Sequence, residues 1–319
     1  MSAKPKTLQE AVVHFSNPDN CLNFMARLRW PSGVECPVCG RKDAAFLANQ
    51  RKWQCKSVHH HRQFSVKVGT IFEDSPIPLE KWLVALWMIA NRKNGISSYE
   101  VARALGVTQK SAWFMMHRIR LAMQTKSFLK LGGPGTEVEA DETFVGGKAR
   151  NMHVDVRERR ITGTGGKDKT AVTGMLQRGG EVRLAVLPNR RKDEIQRQVR
   201  NEIAAGSALY SDALQSYDGL SRDYAHQVID HAEKYVSGKV HTNGLENFWS
   251  LLKRGIRGTY VSIEPFHLFR YLDEQAFRYN SRKQPMNDGG RFEKLASRVL
   301  ARRLTYAELT GKIGGPTPN

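Results

Sequence analysis

The chain has 319 residues, 40% hydrophobic and 25% charged, the proportions of a packed globular protein. Lys+Arg number 50 against 31 for Asp+Glu, so the formal net charge is +19. This composition excludes disorder driven by charge and low hydrophobicity, and the longest apolar run, Trp82 to Ala90, is nine residues against the roughly 20 of a membrane span. The opening MSAKPKTLQE lacks the apolar stretch of a secretory signal, which points to a cytoplasmic chain. The length suggests about two domains. The charge suggests a polyanionic partner, because a positive field attracts phosphate backbones. A basic solubility shell and an anionic membrane surface are the rival readings.

Cys36-Pro37-Val38-Cys39-Gly40 is followed, after 15 residues, by Cys55. This is the C-x2-C…C part of a zinc ribbon: the turn aims two thiolates at one point and the following Gly relieves the tight knuckle. The fourth ligand is not Cys. Any one imidazole of Val58-His59-His60-His61 could close a tetrahedral, structural site; the competing reading is a reduced thiol cluster. Trp53, Phe46 and Phe64 are expected to pack around a ribbon too small to fold without its metal. Cys21, with Phe24, Met25 and Leu28, reads as the buried face of a short helix instead.

Leu79 to Asn91 reads as a helix ended by Arg92-Lys93-Asn94-Gly95. Ser97 or Ser98 can then cap a helix carrying Val101, Ala102 and Leu105 inward. Gly106 makes a turn, and Thr108 caps a second helix to about Met123, which offers Gln109, Lys110, Arg118 and Arg120. The pattern is that of a helix-turn-helix, although plain helical hairpins share it. Residues 126–136 form a Gly- and Pro-rich linker.

Strands follow. Val138 to Val145 ends at Gly146-Gly147, and the stretch from Gly146 to Thr170 holds seven cations, among them Lys148, Arg150 and Lys167, against three acids. Ala171 to Gln177 and Val182 to Leu187 are strands joined at Gly179-Gly180, Lys192 to Ala204 is an amphipathic helix, and Ala208 to Asp212 and His226 to Asp230 are further strands. Three strands, a helix, a strand, a link, a strand and a long helix is the order of a ribonuclease-H-like α/β fold. In the long helix, Thr242 to Arg257, Leu245, Phe248, Trp249, Leu252 and Ile256 form one apolar face. Glu246, Ser250, Lys253 and Arg257 form the adjacent stripe, which is either a metal ligand leading into a phosphate track or an ordinary solvated edge.

Asp141, Asp212 and Glu246 could therefore meet at one site. Such a carboxylate set suits Mg²⁺, a hard cation that takes oxygen ligands, and paired ions of this kind serve phosphodiester chemistry. Asp218, Asp223 and Asp230 lie near enough in sequence to compete for the role.

Several motifs together resemble the DDE transposases of bacterial insertion sequences, in the subgroup with an N-terminal zinc ribbon and an ISXO-type catalytic domain. They are Cys36-Pro37-Val38-Cys39-Gly40, Arg62-Gln63-Phe64-Ser65-Val66 with Gly69-Thr70-Ile71-Phe72, Glu139-Ala140-Asp141-Glu142-Thr143-Phe144-Val145-Gly146-Gly147-Lys148, Ser211-Asp212, and His241-Thr242-Asn243-Gly244-Leu245-Glu246-Asn247-Phe248-Trp249-Ser250-Leu251-Leu252-Lys253-Arg254. Tyr271-Leu272-Asp273-Glu274 and Phe277-Arg278-Tyr279-Asn280 continue the likeness, which runs from about residue 14 to 283.

The resemblance implies a ribonuclease-H-like (DDE) catalytic domain at 137–283, preceded by a zinc ribbon with its leading helix at 14–72 and a helix-turn-helix at 79–125; beyond the likeness, residues 284–319 read as a basic tail with a helix around Phe292 to Arg303. It implies Asp141, Asp212 and Glu246 as the catalytic triad holding two Mg²⁺ or Mn²⁺. Asn243 and Asn247 are the nearby alternatives to Glu246. It implies structural Zn²⁺ on Cys36, Cys39, Cys55 and His60, the last standing in the slot four residues before Phe64. Lys110, Arg118, Lys253, Arg254 and Arg257 are expected to bind DNA. The implied activity is binding of terminal inverted repeats, then cleavage and strand transfer into target DNA by a homo-oligomer, with no membrane partner. The alternatives are a non-catalytic DNA-binding regulator and a nuclease of the same fold.

Overall fold

The computed structural model describes residues 4–125, 127–146, 153–160, 169–189, 191–212, 215–229, 241–282 and 286–312. Gly147, Lys148, Arg150, Lys167 and Asp230 lie outside the described residues. The chain divides into two compact units, one of residues 1–124 with 284–316 and the other centred on 125–283.

The first unit opens with α1 (Leu8–Phe15) and α2 (Pro18–Arg29), capped by Thr7 and Asn17 side chains. A three-stranded sheet follows, β1 (Ala45–Leu47), β2 (Lys52–Gln54) and β3 (Gln63–Phe64). Trp53 pairs with both Phe46 and Phe64 in its ladders, and Trp30 meets the rings of Trp53 and Phe64 at 5.2 and 5.9 Å. This aromatic knot is the core expected beside the thiols. Next, α3 (Leu79–Asn91) buries nine of its residues. α4 (Ser98–Leu105) starts on a reciprocal Ser97–Glu100 capping box, turns at Gly106 with φ +59°, and leads to α5 (Gln109–Met123), capped by Thr108.

The second unit begins with β4 (Leu131–Gly132) and β5 (Glu137–Val145), then α6 (Val154–Arg160), β6 (Thr170–Gln177), β7 (Val182–Leu187), α7 (Lys192–Glu202), β8 (Ile203–Ala204), β9 (Ala208–Asp212) and β10 (Ala225–Ile229). The main sheet has the order β10-β9-β5-β6-β7. β5 runs antiparallel to β6 and parallel to β9, and β9 runs parallel to β10. Side chains alternate across a strand, so β5 serves two cores. Val138 and Ala140 pack with Ile195, Val199, Tyr217 and Leu220. The opposite face meets α8 (Asn243–Gly255) and α9 (Leu268–Asn280) through Val172, Leu176, Phe248, Trp249 and Leu272.

After α9 the chain returns to the first unit as α10 (Asp288–Ala296) and α11 (Tyr306–Leu309). This corrects the expectation of a separate basic tail and of a helix over 292–303. Phe292 is 1% exposed and meets the rings of Phe15, Phe24 and Trp87 at 5.5, 5.4 and 5.1 Å. The helix ends at Ala296, where the chain turns and lays Val299–Ala301 against 69–71, with Ile71 N–H donating to Val299 O, Ala301 N–H to Gly69 O, and a bridge between Thr70 and Leu300.

The same return corrects the assignment of Arg118 to DNA. Its guanidinium is buried, donating to Leu304 O at 2.9 Å, Ile71 O at 3.0 Å and Glu73 O at 2.7 Å. Arg120 is also buried, 1% exposed. Arg118→Met would leave three carbonyls without this donor, and we expect it to lower stability by about 3 kcal/mol in urea or thermal unfolding. Unchanged stability with a shallower salt dependence of DNA binding would return Arg118 to a phosphate-binding role.

Candidate metal centre and candidate active site

Cys36, Cys39, Cys55 and His59 bring their ligand atoms within 4.8 Å of one another. The loop is shaped by Cys36 N–H donating to Arg41 O, Gly40 N–H to Cys36 O, and Gly40 at φ +73°, the left-handed turn the sequence required. Cys55 enters from the end of β2, its N–H on Arg62 O. Cys39 and Cys55 sulfurs lie 3.5 Å apart, and His59 Nε2 is 3.4 Å from Cys36 Sγ. The backbone N–H of Arg41 leads the effects that bring the Cys39 thiol down to about 6, favouring the thiolate that binds metal.

The expected ligand His60 is exposed and outside this group. His60 contributes its carbonyl, which lies 2.6 Å from His59 Nδ1. That contact assigns the ring proton to Nδ1 and turns the Nε2 lone pair toward the sulfurs, the outer-shell arrangement typical of metal-bound imidazole. Three thiols and one imidazole suit tetrahedral Zn²⁺ in a structural site. Cys21 stands apart, its thiol pushed up to about 12 by burial.

In the second unit, Glu139 and Tyr210 are register partners on parallel β5 and β9. Asp141 and Asp212 each lie two residues further on, so both carboxylates leave the sheet at one level. Asp141 is held at both oxygens: Trp249 Nε1–H donates to Oδ2 at 2.9 Å and Glu142 N–H to Oδ1 at 2.8 Å. Trp249 reaches Asp141 because the ladder partner of Asp141 is Gly174; a Cβ there would sit 2.7 Å from the indole. Burial, helped by the charges of Asp212 and Glu246, pushes the Asp141 carboxyl up to about 6 against the two hydrogen bonds. Asp141 thus senses Asp212 and Glu246 from two other elements. Among the described residues their oxygens do not close to within 4.8 Å as the zinc donors do, in keeping with the mutual repulsion of like charges.

Glu246 stands exposed in the first turn of α8, with Thr242 Oγ1–H donating to its Oε1 at 3.5 Å. What places this helix is Glu139, a role sequence reasoning did not assign. Its carboxylate is 1% exposed, accepts Leu245 N–H at 2.9 Å, and accepts Arg178 Nε–H at 2.9 Å. Arg178 also donates to Glu137 and to His241 O. The helix end approaches so closely that a Cβ on Gly244 would lie 2.7 Å from Glu139 Oε2. The available signal was an acid two residues before Asp141, on the same face of the strand.

Lys253 is half-buried on α8, with Arg254 exposed beside it and Arg257 exposed on the π-helical turn Ile256–Tyr260. Burial lowers the Lys253 pKa, the charges of Arg257 and Lys169 lower it further, and Asp141 opposes them. Lysine and carboxylate therefore share one electrostatic neighbourhood. The Asp223 carboxylate pairs with Arg200, and the charge of Asp218 acts on His226.

One unit thus carries a cluster of three thiols and one imidazole, and the other an acid-bearing α/β sheet. Residues 16–61 match the transposase zinc-ribbon domain and residues 130–280 the ISXO2-like transposase domain. The chain belongs to the insertion-sequence transposases that combine these two domains. It is 28% identical over 253 residues to an uncharacterized protein in transposable element ISH50 of Halobacterium salinarum, an alignment covering 75% of this chain and 83% of the relative.

Two outcomes check this geometry. His59→Ala should abolish stoichiometric zinc in the purified chain while His60→Ala retains it; metal content decides, and the reverse pattern would reinstate His60. The second concerns Asp141, whose native pKa of about 6 exceeds its ordinary 3.8. The native state therefore binds this proton more tightly than the unfolded chain, a contribution present below about pH 3.8 and lost as pH rises through about 6. Without divalent cations, Asp141→Asn should melt a few degrees above the parent at about pH 7.5, with the difference closing toward about pH 4. A parent melting as high as the variant at the upper pH would contradict this.

Proposed function

We propose that the chain is a DDE transposase that binds the terminal repeats of an insertion sequence, cuts at their ends and joins them to target DNA. The observation that carries the reading is Asp141, held at both oxygens and electrostatically coupled to Asp212 and Glu246. The strand order and directions of the second unit, three antiparallel strands extended by two parallel ones, support a ribonuclease-H-like fold. The α4–Gly106–α5 arrangement supports a helix-turn-helix.

Asp141, Asp212 and Glu246 are the residues that would hold two Mg²⁺, ions that activate the attacking oxygen and stabilise the leaving one when bound. Hard oxygen donors at the mouth of a sheet fit that group. Trp249 and the Glu142 N–H keep Asp141 oriented, while Glu139 fixes the turn that carries Glu246. Lys253, Arg254 and Arg257 draw the phosphate backbone along α8 toward the acids. Water first attacks the end phosphodiester and releases a 3′ hydroxyl; that hydroxyl then attacks a target phosphodiester in the same in-line manner. Zn²⁺ on Cys36, Cys39, Cys55 and His59 would fix the ribbon, whose role is DNA binding.

The test is a strand-transfer assay on duplex carrying the element's terminal repeats, with and without Mg²⁺. Asp141→Asn should abolish cutting and joining while end binding stays within about threefold, since the charge lost is a metal ligand rather than a phosphate contact. Cutting without joining would identify a nuclease, and end binding without cutting a regulator. Lys253→Ala should weaken DNA binding and lower the slope against salt by about one; an unchanged slope would make this helix edge a plain solvated face.

A further inference from the structure

The burial of Arg118 and Arg120 leaves a question about α5. From Met115 to Arg120 every residue is buried, so contact with a duplex falls to the first turns of the helix. There Lys110 is exposed, and its ammonium lies 5.0 Å from the ring centroid of Tyr306, which is 37% exposed. Tyr306 comes from α11, 196 residues later in the chain.

The placement of Tyr306 is built, not incidental. Thr305 and Glu308 form a reciprocal capping box that starts α11 at Tyr306. Leu304, two residues earlier, is held through its carbonyl by Arg118. The Tyr306 ring packs edge-on against Phe114 at 5.5 Å, and Phe114 in turn lies under the Arg118 guanidinium at 4.4 Å. The buried arginine and the exposed lysine of α5 thus grip consecutive parts of one C-terminal turn. Acidic groups nearby are engaged: Glu308 in its cap, Asp74 with Arg303, and Glu100 in the Ser97 cap. Arg103 is exposed on α4 across the Gly106 turn, so the outward field is positive.

We propose that Tyr306 and Lys110 form one composite contact for the sugar-phosphate backbone of duplex DNA, making the C-terminal segment part of the end-binding surface. The ring holds the ammonium at the mouth of α5, and the phenol O–H supplies a second donor for a phosphate oxygen. The inference rests on the transposase reading and extends it to a segment beyond both matched domains.

The experiment measures binding of the full chain to terminal-repeat duplex across a salt series. Tyr306→Ala and Lys110→Ala should each weaken binding about five- to tenfold, Lys110→Ala lowering the salt slope by about one. The double variant should lose clearly less than the product of the single losses. Tyr306→Phe, which keeps the ring packing, should retain the melting temperature yet bind less tightly than the parent. Parent-like binding by both Tyr306 variants, or multiplicative losses in the double variant, overturns the composite contact while strand transfer by the parent leaves the transposase reading standing. A parent that neither prefers terminal repeats over scrambled duplex nor cuts them overturns both.

Discussion

A carboxylate sealed against a helix end organises the second unit. Glu139 is almost wholly buried, and isolation of such a charge would cost several kcal/mol. It is offset by the Arg178 guanidinium and by the Leu245 N–H at the positive end of α8. Because the partners belong to β6's end and to α8, satisfying the one charge fixes the helix against the sheet. Asp141 lies two residues along β5 and Glu246 one residue along α8, so the same contact sets the spacing of both acids. Gly174 and Gly244 are the complementary half of the arrangement: each removes a Cβ where indole or carboxylate must pass. These groups are assembled by close approach on the central strand of the sheet, which holds their positions fixed.

The zinc-binding end follows a different economy. Its strands are two or three residues long, too short to hold a sheet alone. Trp30, Trp53 and Phe64 give it a small core, and the three thiols with His59 are positioned to supply the rest once zinc is bound.

Much of this was legible in the amino-acid sequence, and the failures have physical causes. Strand alternation and the apolar stripe of α8 give the elements that carry Asp141 and Glu246, because both periods are local, while the choice of these acids rests on the resemblance. Likewise, Ser97, Gly106 and Thr108 announced their turn because caps and positive-φ glycines act within a few residues. His59 was not separable from His60, since the choice depends on a backbone turn that gives His61 φ +60° and spends the His60 carbonyl on its neighbour. Arg118 read as a surface cation because the segment that covers it arrives 186 residues later. Glu139 was hidden for a similar reason: an acid in an alternating strand looks solvated until a helix end from 106 residues away lands on it.

The return of the chain after α9 has a consequence in time. The first unit is completed by contacts such as Asn91 with Arg291 and Arg118 with Leu304, which span 200 and 186 residues. During synthesis from the N-terminus, α3 and α5 emerge with their apolar and carbonyl partners still unmade, and they wait while the entire sheet unit is translated. The unit that begins first therefore finishes last. A ribosome that stops early leaves a product with a Trp87 face that lacks Phe292 and an Arg118 without its Leu304 carbonyl, whatever the state of the sheet unit. Completion of the polypeptide is in this way a condition for completion of its first domain.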